Sequence, residues 1–315
     1  MRKEKILITS AGGLTGTFLT RHFIKLNEYE IFGADASKNV PLASRLEACF
    51  QVPYCSDPKY IDYIRDIVKK EKIDYIIPVS SYDMNVFSKF TYDEDFKDRM
   101  LIVDSTVNST LHNKRTCYKL FKQIGITTPK VYHKDELKFP LIMKPEESSG
   151  SKDVHKLLST RELDFWKSIE KKYILMEYID GDEFTVDCLF DPNGLNKGYN
   201  IRKRMKMSGG GAVISQNNYL FEEYVEDIIQ KLETTGKIKG AVNFQFKMTD
   251  KGACVFDFNT RFASGGLPLT VESGFDIPGI LIKMIKKEKI KKWHISEDKK
   301  KLKMIRYYVE AFYNE

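Results

Sequence analysis

Strand-like and helix-like segments alternate through the first third of the chain, and this alternation restricts the fold more than any other feature. The apolar segments "KILITS", "YEIFGAD", "DYIIPVS" and "LIVD" predict strands, and "KYIDYIRDIVKKEK" repeats its apolar residues at helical spacing. Strands that alternate with helices favour a parallel sheet with helices packed on its faces. We therefore predict a doubly wound parallel α/β domain over residues 1–105.

The rest of the chain mixes helices and strands without regular alternation. Over residues 106–170, the helical run "NKRTCYKLFKQIG" precedes "FPLIMKPEESSGSKDVHKLL", which predicts two strands joined by a Gly/Ser turn. Over residues 171–315, strong strands such as "EFTVDCLF", a helix "EEYVEDIIQKLETTG" and a hairpin "GAVNFQFKMTDKGACVFDFNTRF" predict an α+β unit. A length of 315 residues is sufficient for three such packed units.

Composition excludes several classes of protein. The 51 Lys and Arg residues are spread along the chain and are balanced by 44 Asp and Glu residues. The net charge of +7 therefore does not indicate a nucleic-acid-binding patch. The five cysteines are scattered and form no C-x-x-C pair, which argues against a disulfide framework or a structural zinc site. No long apolar run or signal-peptide pattern occurs. We expect a cytoplasmic protein with neither nucleic acid nor a membrane as partner.

The opening glycine loop, "SAGGLTG", lies between the first strand and the first helix, and Asp35 closes the second strand. This arrangement is close to the fingerprint of NAD-binding proteins. Ala11 replaces the first glycine of that fingerprint, and a glycine turn is also needed to pack a helix closely against a strand. We interpret Gly12, Gly13 and Gly16 as structural. An NAD-dependent oxidoreductase remains the alternative.

A lysine and a small flexible loop follow the strand "FPLIMK". Lys144 ends the strand, and the backbone N–H groups of the next loop could surround phosphate oxygens. The candidate phosphate contacts in this loop are Ser149, Gly150 and Ser151. An ordinary hairpin with an exposed lysine would give the same pattern.

The segment "YILMEYIDGDEF" joins two strands through a turn at Gly181. Free backbone groups at Glu177, Tyr178 and Ile179 could bind an adenine, and the Glu183 carboxylate could accept hydrogen bonds from ribose hydroxyls. An acidic hairpin would look much the same.

The hairpin over residues 241–261 gives the most specific chemical pattern. Strict alternation predicts one apolar face, with Phe256 and Phe258 opposite the polar side chains. The polar face carries the oxygen donors Gln245, Asp257 and Asn259. One carboxylate and two amides suit Mg²⁺, or Mn²⁺ in its place, when phosphate oxygens complete the coordination. Arg261 on the same face could stabilise a transferring phosphoryl group, and a solvated sheet face is the alternative.

A cluster of cations that includes Arg202 and Arg204 precedes three glycines in "IRKRMKMSGGGAVIS". We predict a loop at the glycines that could close over an anionic substrate. A mobile surface loop is the alternative interpretation.

Taken in this order, the segments resemble the ATP-grasp superfamily, in its carbamoyl-phosphate-synthase-like branch, over nearly the whole chain. The resemblance implies an ATP-grasp fold preceded by a Rossmann-like pre-ATP-grasp domain. The implied units are residues 1–105 for that domain, 106–170 for the small ATP-grasp subdomain and 171–315 for the C-terminal subdomain.

The resemblance also implies roles for individual residues. Lys114, in "NKRTCYKLFKQIGITTP", matches the first nucleotide-contacting lysine of the family, and Lys144 with its loop matches the second. Glu183 takes the ribose position. The opening glycine loop matches a loop that faces the substrate in the family, so the resemblance adds contacts to an acceptor substrate as a second role for its glycines. Asp257 stands where the family usually has glutamate, and Thr260 stands where it usually has proline. The cofactors implied are ATP and Mg²⁺.

The implied activity is an ATP-dependent ligation of a carboxylate to an amine through an acyl phosphate, with release of ADP and phosphate. Arg261, Arg202 and Arg204 are the expected catalytic residues. The expected partners are small-molecule carboxylate and amine substrates and, in a homodimer, a second copy of the chain. A catalytically silent nucleotide-binding regulator remains a further alternative, because Asp257 departs from the family pattern.

Overall fold

The computed structural model describes residues 2–133, 136–147, 153–169, 172–209 and 211–313. Its first unit is built on a parallel sheet in the order β3-β2-β1-β4. The strands are β1 (Glu4–Thr9), β2 (Tyr29–Asp35), β3 (Ala48–Gln51) and β4 (Tyr75–Ile77). The helices of this unit are α1 (Leu14–Leu26), α2 (Tyr60–Glu71) and α3 (Ser81–Phe87), with 3-10 turns at Ala43–Arg45 and Ser88–Phe90.

Helices cover both faces of this sheet because alternate residues of β1 point in opposite directions. Ile6 and Ile8 share a hydrophobic cluster with Phe23 of α1. Leu7 shares another cluster with Ile64 of α2. The predicted doubly wound parallel sheet is therefore confirmed.

The predicted strand "LIVD" is wrong, because residues 101–104 pair with no strand in the described part of the chain. These residues are apolar because they pack between units: Leu101 contacts one hydrophobic cluster and Ile102 contacts two others. The Asp104 side chain then caps the next helix by accepting hydrogen bonds from the N–H groups of Thr106 and Val107.

The middle of the chain contributes helices and a small antiparallel sheet. Its elements are α4 (Ser105–His112), α5 (Lys114–Gln123), β5 (Leu141–Pro145), β6 (His155–Leu157), α6 (Thr160–Ile169) and β7 (Tyr173–Glu177). The strand order is β6-β5-β7. The antiparallel pairing of β5 with β6 agrees with the hairpin predicted from the sequence.

The last part of the chain forms a six-stranded antiparallel sheet in the order β12-β11-β8-β9-β10-β13. Its strands are β8 (Glu183–Phe190), β9 (Asn196–Ser208), β10 (Gly211–Asn217), β11 (Gly240–Thr249), β12 (Gly252–Asn259) and β13 (Lys303–Ile305). Its helices are α7 (Glu222–Glu233), α8 (Leu267–Glu272) and α9 (Ile277–Ile285), with a 3-10 turn at Glu297–Lys299. No helix in the described ranges has both the length and the apolar character needed to cross a bilayer.

Helix α5 connects the small sheet to the large one. Tyr118 and Phe121 of α5 belong to the same buried cluster as Phe244 and Phe258 of the large sheet. This packing brings the end of β5 next to β12, where the Nζ of Lys144 donates to the carbonyl oxygen of Phe256 at 2.8 Å. The division into residues 1–105, 106–170 and 171–315 stays a proposal, with α4 and α5 packed against the third unit.

Candidate active site

Two adjoining cavities lie beside the large sheet. The first, which we call the inter-sheet cavity, lies between the small and large sheets and is lined by Lys114, Ile142, Lys144, Val154, Met176, Glu177, Tyr178, Ile179, Glu183, Gln245, Lys247, Phe256 and Asp257. The second, which we call the arginine cavity, is lined by Thr185, Arg202, Arg204, Asn243, Gln245, Asp257, Asn259, Arg261, Ala263 and Ser264. Gln245 and Asp257 line both, so the cavities meet at these two side chains.

The two predicted nucleotide-contacting lysines come together in the inter-sheet cavity. Lys114 is the first residue of α5 and Lys144 lies near the end of β5, and both are buried. Burial lowers the pKa of Lys144 to about 8, although the Asp257 carboxylate opposes this shift. Burial also lowers the pKa of Lys114, again opposed by Asp257. An anion bound between these lysines would stabilise their charged forms.

The predicted hinge at Glu177, Tyr178 and Ile179 forms one wall of the same cavity, at the end of β7. The Nζ of Lys247 donates to the Ile179 carbonyl oxygen at 3.0 Å, and the Nζ of Lys156 lies 3.7 Å from the centre of the Tyr178 ring. The predicted free backbone is therefore wrong at the Ile179 carbonyl, and also at the Glu177 N–H, which donates to the Lys130 carbonyl at 2.9 Å. The apolar side chains Ile142 and Met176 line the same cavity.

The predicted metal ligands lie together on two neighbouring strands. Gln245 of β11 is directly opposite Asp257 of β12, and Asn259 donates to the Asp257 carboxylate at 3.0 Å. The described residues contain no cluster of three or more His, Cys, Asp or Glu side chains that could hold a metal alone. This donor set fits Mg²⁺, which binds few protein oxygens when phosphates and waters supply the others.

The predicted strict alternation of β12 is wrong at Phe256. Gln245 pairs with Asp257 but Phe246 pairs with Val255, so Phe256 is an extra residue in a β-bulge. Phe256 therefore lines the inter-sheet cavity together with Asp257. Its carbonyl oxygen accepts the Tyr118 hydroxyl at 2.6 Å and the Lys144 ammonium at 2.8 Å.

Arg204 and Arg261 line the arginine cavity, but each already has partners. Arg204 forms an ion pair with Glu183 and donates to the Gln245 amide oxygen at 2.9 Å. Glu183, the predicted ribose ligand, is thus bound to an arginine in this structure. Arg261 donates to three neutral oxygens: Ser81 Oγ at 2.8 Å, the Phe262 carbonyl at 2.8 Å and Asn259 Oδ1 at 3.2 Å.

The cation cluster that precedes the predicted glycine loop lies on a strand. Arg202 and Arg204 belong to β9, which forms a long hairpin with β10, and Gly209 follows β9 in a turn. The hydrogen bonds of the hairpin fix the backbone at both arginines. Arg202 is almost fully buried and its Nε donates to Asp187 at 3.0 Å.

The opening glycine loop is held by its own acidic residue. One Asp35 carboxylate oxygen accepts from Gly12 N and the other from Ser37 N, each at 2.8 Å. A Cβ atom at Gly16 would lie 2.3 Å from the Ser10 carbonyl oxygen, so only glycine allows this close approach of helix to strand. These contacts support the structural interpretation of the loop. The predicted phosphate contacts Ser149, Gly150 and Ser151 lie outside the described residues.

Three residues near the site were not selected from the sequence. Lys247 follows Gln245 by two positions on β11, so the alternation of that strand was a usable signal. His112 precedes Lys114 by two positions. Burial lowers the pKa of His112, the Glu147 charge opposes this shift and the Lys114 charge adds to it. Ser81 reaches Arg261 from the first unit, a contact between residues 180 positions apart that no local pattern indicates.

Comparison with protein-family models gives two matches. The family described as "ATP-grasp in the biosynthetic pathway with Ter operon" matches residues 170–308. The family described as "PylC-like, N-terminal domain" matches residues 6–100. No curated protein matches the sequence significantly.

Solved structures share the fold at low sequence identity. The biotin carboxylase domain of 2-oxoglutarate carboxylase from Hydrogenobacter thermophilus, solved with MgADP, ADP and bicarbonate, has a TM-score of 0.74 and 14% identity, over 92% of this chain and 71% of that chain. L-amino acid ligase from Bacillus licheniformis has a TM-score of 0.71 and 17% identity, over 91% of this chain and 75% of that chain. N5-carboxyaminoimidazole synthetase from Staphylococcus aureus, complexed with ADP, has a TM-score of 0.71 and 14% identity, over 92% of this chain and 79% of that chain. The predicted ATP-grasp fold is confirmed.

Proposed function

We propose that this chain, which belongs to the ATP-grasp superfamily, is an ATP-dependent carboxylate–amine ligase. The observation that carries the proposal is that Gln245 and Asp257 line both cavities. A metal-bound phosphate chain in the inter-sheet cavity would end at these side chains, with the arginine cavity beyond them. The group receiving the terminal phosphoryl would then be an anion held among arginines, as a carboxylate substrate requires.

The inter-sheet cavity offers a nucleotide suitable contacts along its length. Ile142 and Met176 provide apolar surface for an adenine beside the hinge, and Lys114 and Lys144 provide charge for the phosphates. Asp257 would hold Mg²⁺, with Gln245 and Asn259 as further oxygen ligands. The metal would neutralise phosphate charge during transfer.

The proposed reaction has two steps. A carboxylate oxygen attacks the γ-phosphorus, the bond from that phosphorus to the β,γ-bridging oxygen breaks, and ADP leaves. The amine nitrogen then attacks the acyl carbon, the bond to the phosphate oxygen breaks, and inorganic phosphate leaves with loss of a proton from nitrogen. Arg261 would stabilise charge on the phosphoryl group in flight. L-amino acid ligase, a structural neighbour named above, is consistent with this class.

The test of the proposal is a screen of carboxylate and amine pairs for ADP release, with nucleotides separated by chromatography. We expect ADP to accumulate only when both a suitable acid and a suitable amine are present. AMP as the nucleotide product would contradict the proposed chemistry.

Replacing Lys144 by Met should weaken ATP binding while keeping the length of the side chain. A hydrogen bond to a charged group contributes roughly 1.5–3 kcal/mol, so we expect a loss of roughly 10- to 150-fold in affinity. Calorimetry with a non-hydrolysable ATP analogue measures this. Lys119→Met removes an exposed lysine of α5 as the matched control. Equal affinity of Lys144→Met and the wild type would remove Lys144 from the nucleotide site.

ATP affinity should fall as the pH rises from 7 to 9. The pKa of Lys144 is about 8, lowered mainly by burial, so the ammonium that phosphate needs is lost through this range. Phosphate binding favours the charged lysine, so binding should also take up protons above about pH 8. In Lys144→Arg the guanidinium stays charged, and the decline should be smaller. An identical decline in the wild type and in Lys144→Arg would show that a group other than Lys144 causes the pH dependence.

A further inference from the structure

Two buried polar atoms on neighbouring strands have no hydrogen-bond partner in the part of the chain that the structure describes. They are the Thr185 Oγ1 of β8 and the Arg202 Nη1 of β9. The two residues are directly opposite in the antiparallel register, are 1% and 2% exposed, and both line the arginine cavity. An unpaired buried donor of a charged group is costly, and a bound ligand that accepts its hydrogen bond would remove that cost.

The rest of the Arg202 guanidinium is fixed in place. Asp187 accepts from its Nε at 3.0 Å and from its Nη2 at 3.3 Å, and the Thr270 hydroxyl donates to the same carboxylate. A Cβ atom at Gly266 would lie 2.0 Å from the Arg202 Cζ, so the guanidinium packs directly on that backbone. Because two nitrogens are held by Asp187, the position of the third nitrogen, Nη1, is also fixed, and it is this nitrogen that has no partner among the described residues.

The charge lining the cavity favours an anion. Three arginines and one carboxylate, Asp257, contribute side chains to it. Arg202 has Asp187 as its counter-charge and Arg204 has Glu183, but the hydrogen bonds given above for Arg261 all go to neutral oxygens. An anion placed among these side chains would compensate Arg261 while filling the unpaired positions of Thr185 and Arg202.

The size of the cavity restricts the anion. Its volume is about 30 Å³. This is far below the roughly 300–1,000 Å³ of a pocket for a drug-sized ligand, so the cavity suits a small anion. A flat carboxylate offers two oxygens in one plane, whereas a phosphate presents four oxygens in a tetrahedron. Arg202 Nη1 and the Thr185 hydroxyl supply one donor for each carboxylate oxygen.

We propose that Thr185 and Arg202 form a receptor for a planar oxyanion, which is the carboxylate of an organic acid or bicarbonate. Its identification as the substrate carboxylate rests on the proposed ligase function. The receptor can be tested independently of the ligase function, because oxyanion binding can be measured without turnover.

The experiment is a titration of the full chain with [1-¹³C]acetate or [¹³C]bicarbonate, followed by ¹³C line broadening. Thr185→Val removes the hydroxyl and keeps the shape of the side chain, and Arg202→Lys keeps a cation beside Asp187 but loses the third nitrogen. We expect each variant to bind the preferred oxyanion at least about tenfold more weakly, as loss of a hydrogen bond to a charged group predicts. Thr20→Val is the matched control, since Thr20 Oγ1 is also buried without a partner but belongs to α1, away from the cavity.

The outcomes separate the receptor from the reaction. Saturable acetate binding that both variants weaken and Thr20→Val does not would support the receptor for an organic acid, and the same pattern with bicarbonate alone would assign it to bicarbonate. Unchanged binding in both variants, or equal competition by inorganic phosphate, would overturn the receptor. Calorimetry with the ATP analogue checks that the variants fold. Oxyanion binding without any ADP release would contradict the ligase function and leave the receptor standing.

Discussion

Replacing Asp257 by Asn is expected to reduce kcat by at least about a thousandfold, because Asp257 is the one carboxylate lining both cavities among the described residues. The substitution preserves size but removes the formal negative charge from the proposed metal ligands. Phosphate charge would then be poorly neutralised during transfer. The measurement is ADP release with a verified acid and amine at saturating Mg²⁺.

The matched control for this change is Asp250→Asn, which removes an exposed carboxylate between β11 and β12. We expect Asp250→Asn to retain wild-type kcat, and the thermal unfolding midpoint of Asp257→Asn to show that its fold survives. Full activity of Asp257→Asn would exclude this carboxylate from metal binding and would leave the proposed site without a charged ligand.

Arg261→Ala should lower kcat about 10²- to 10³-fold, the range for loss of one preorganised charge-stabilising group. The affinity for ATP should change much less, because the proposed partner of Arg261 forms only during phosphoryl transfer. Burial lowers the pKa of Arg261, and the charge of the Asp257 carboxylate opposes this shift. Steady-state kinetics and calorimetry on the same preparation separate the two effects.

Two further variants test whether the loss comes from charge or from packing. Arg261→Lys restores a cation and should recover part of kcat, although lysine lacks the fork that contacts Ser81 and Asn259 together. Arg45→Ala removes an exposed arginine and should be neutral. A parallel loss of ATP affinity and kcat in Arg261→Ala would indicate ground-state binding and contradict the proposed role.

The parts of the fold that follow from local periodicity were predictable. Alternate residues of β1 packed on helices α1 and α2 as the parallel-sheet interpretation requires. The segment over residues 101–104 was not predictable, because apolar residues that fill the space between units look like a strand in sequence. Periodicity reports burial, and burial does not require hydrogen bonding to a neighbouring strand.

The site was predictable where side chains alternate along regular strands. The hairpin predicted Gln245 and Asp257 on one polar face, and in the structure they are paired across β11 and β12. The bulge at Phe256 was not predictable from the sequence. Phe256 and Phe258 alternate with polar residues, and this alternation does not reveal that one residue of the strand is extra. The ion pair of Arg204 with Glu183 depends on the register of β8 and β9, which only the folded sheet sets.

An isotope measurement tests most directly whether the reaction passes through an acyl phosphate. A verified acid labelled with ¹⁸O in its carboxylate is turned over with ATP and the amine, and the released nucleotide and phosphate are analysed by ³¹P NMR. We expect ADP together with phosphate that carries one ¹⁸O per turnover, because the oxygen that attacks the γ-phosphorus leaves with it. Label in AMP, or ADP with unlabelled phosphate, would contradict the acyl phosphate.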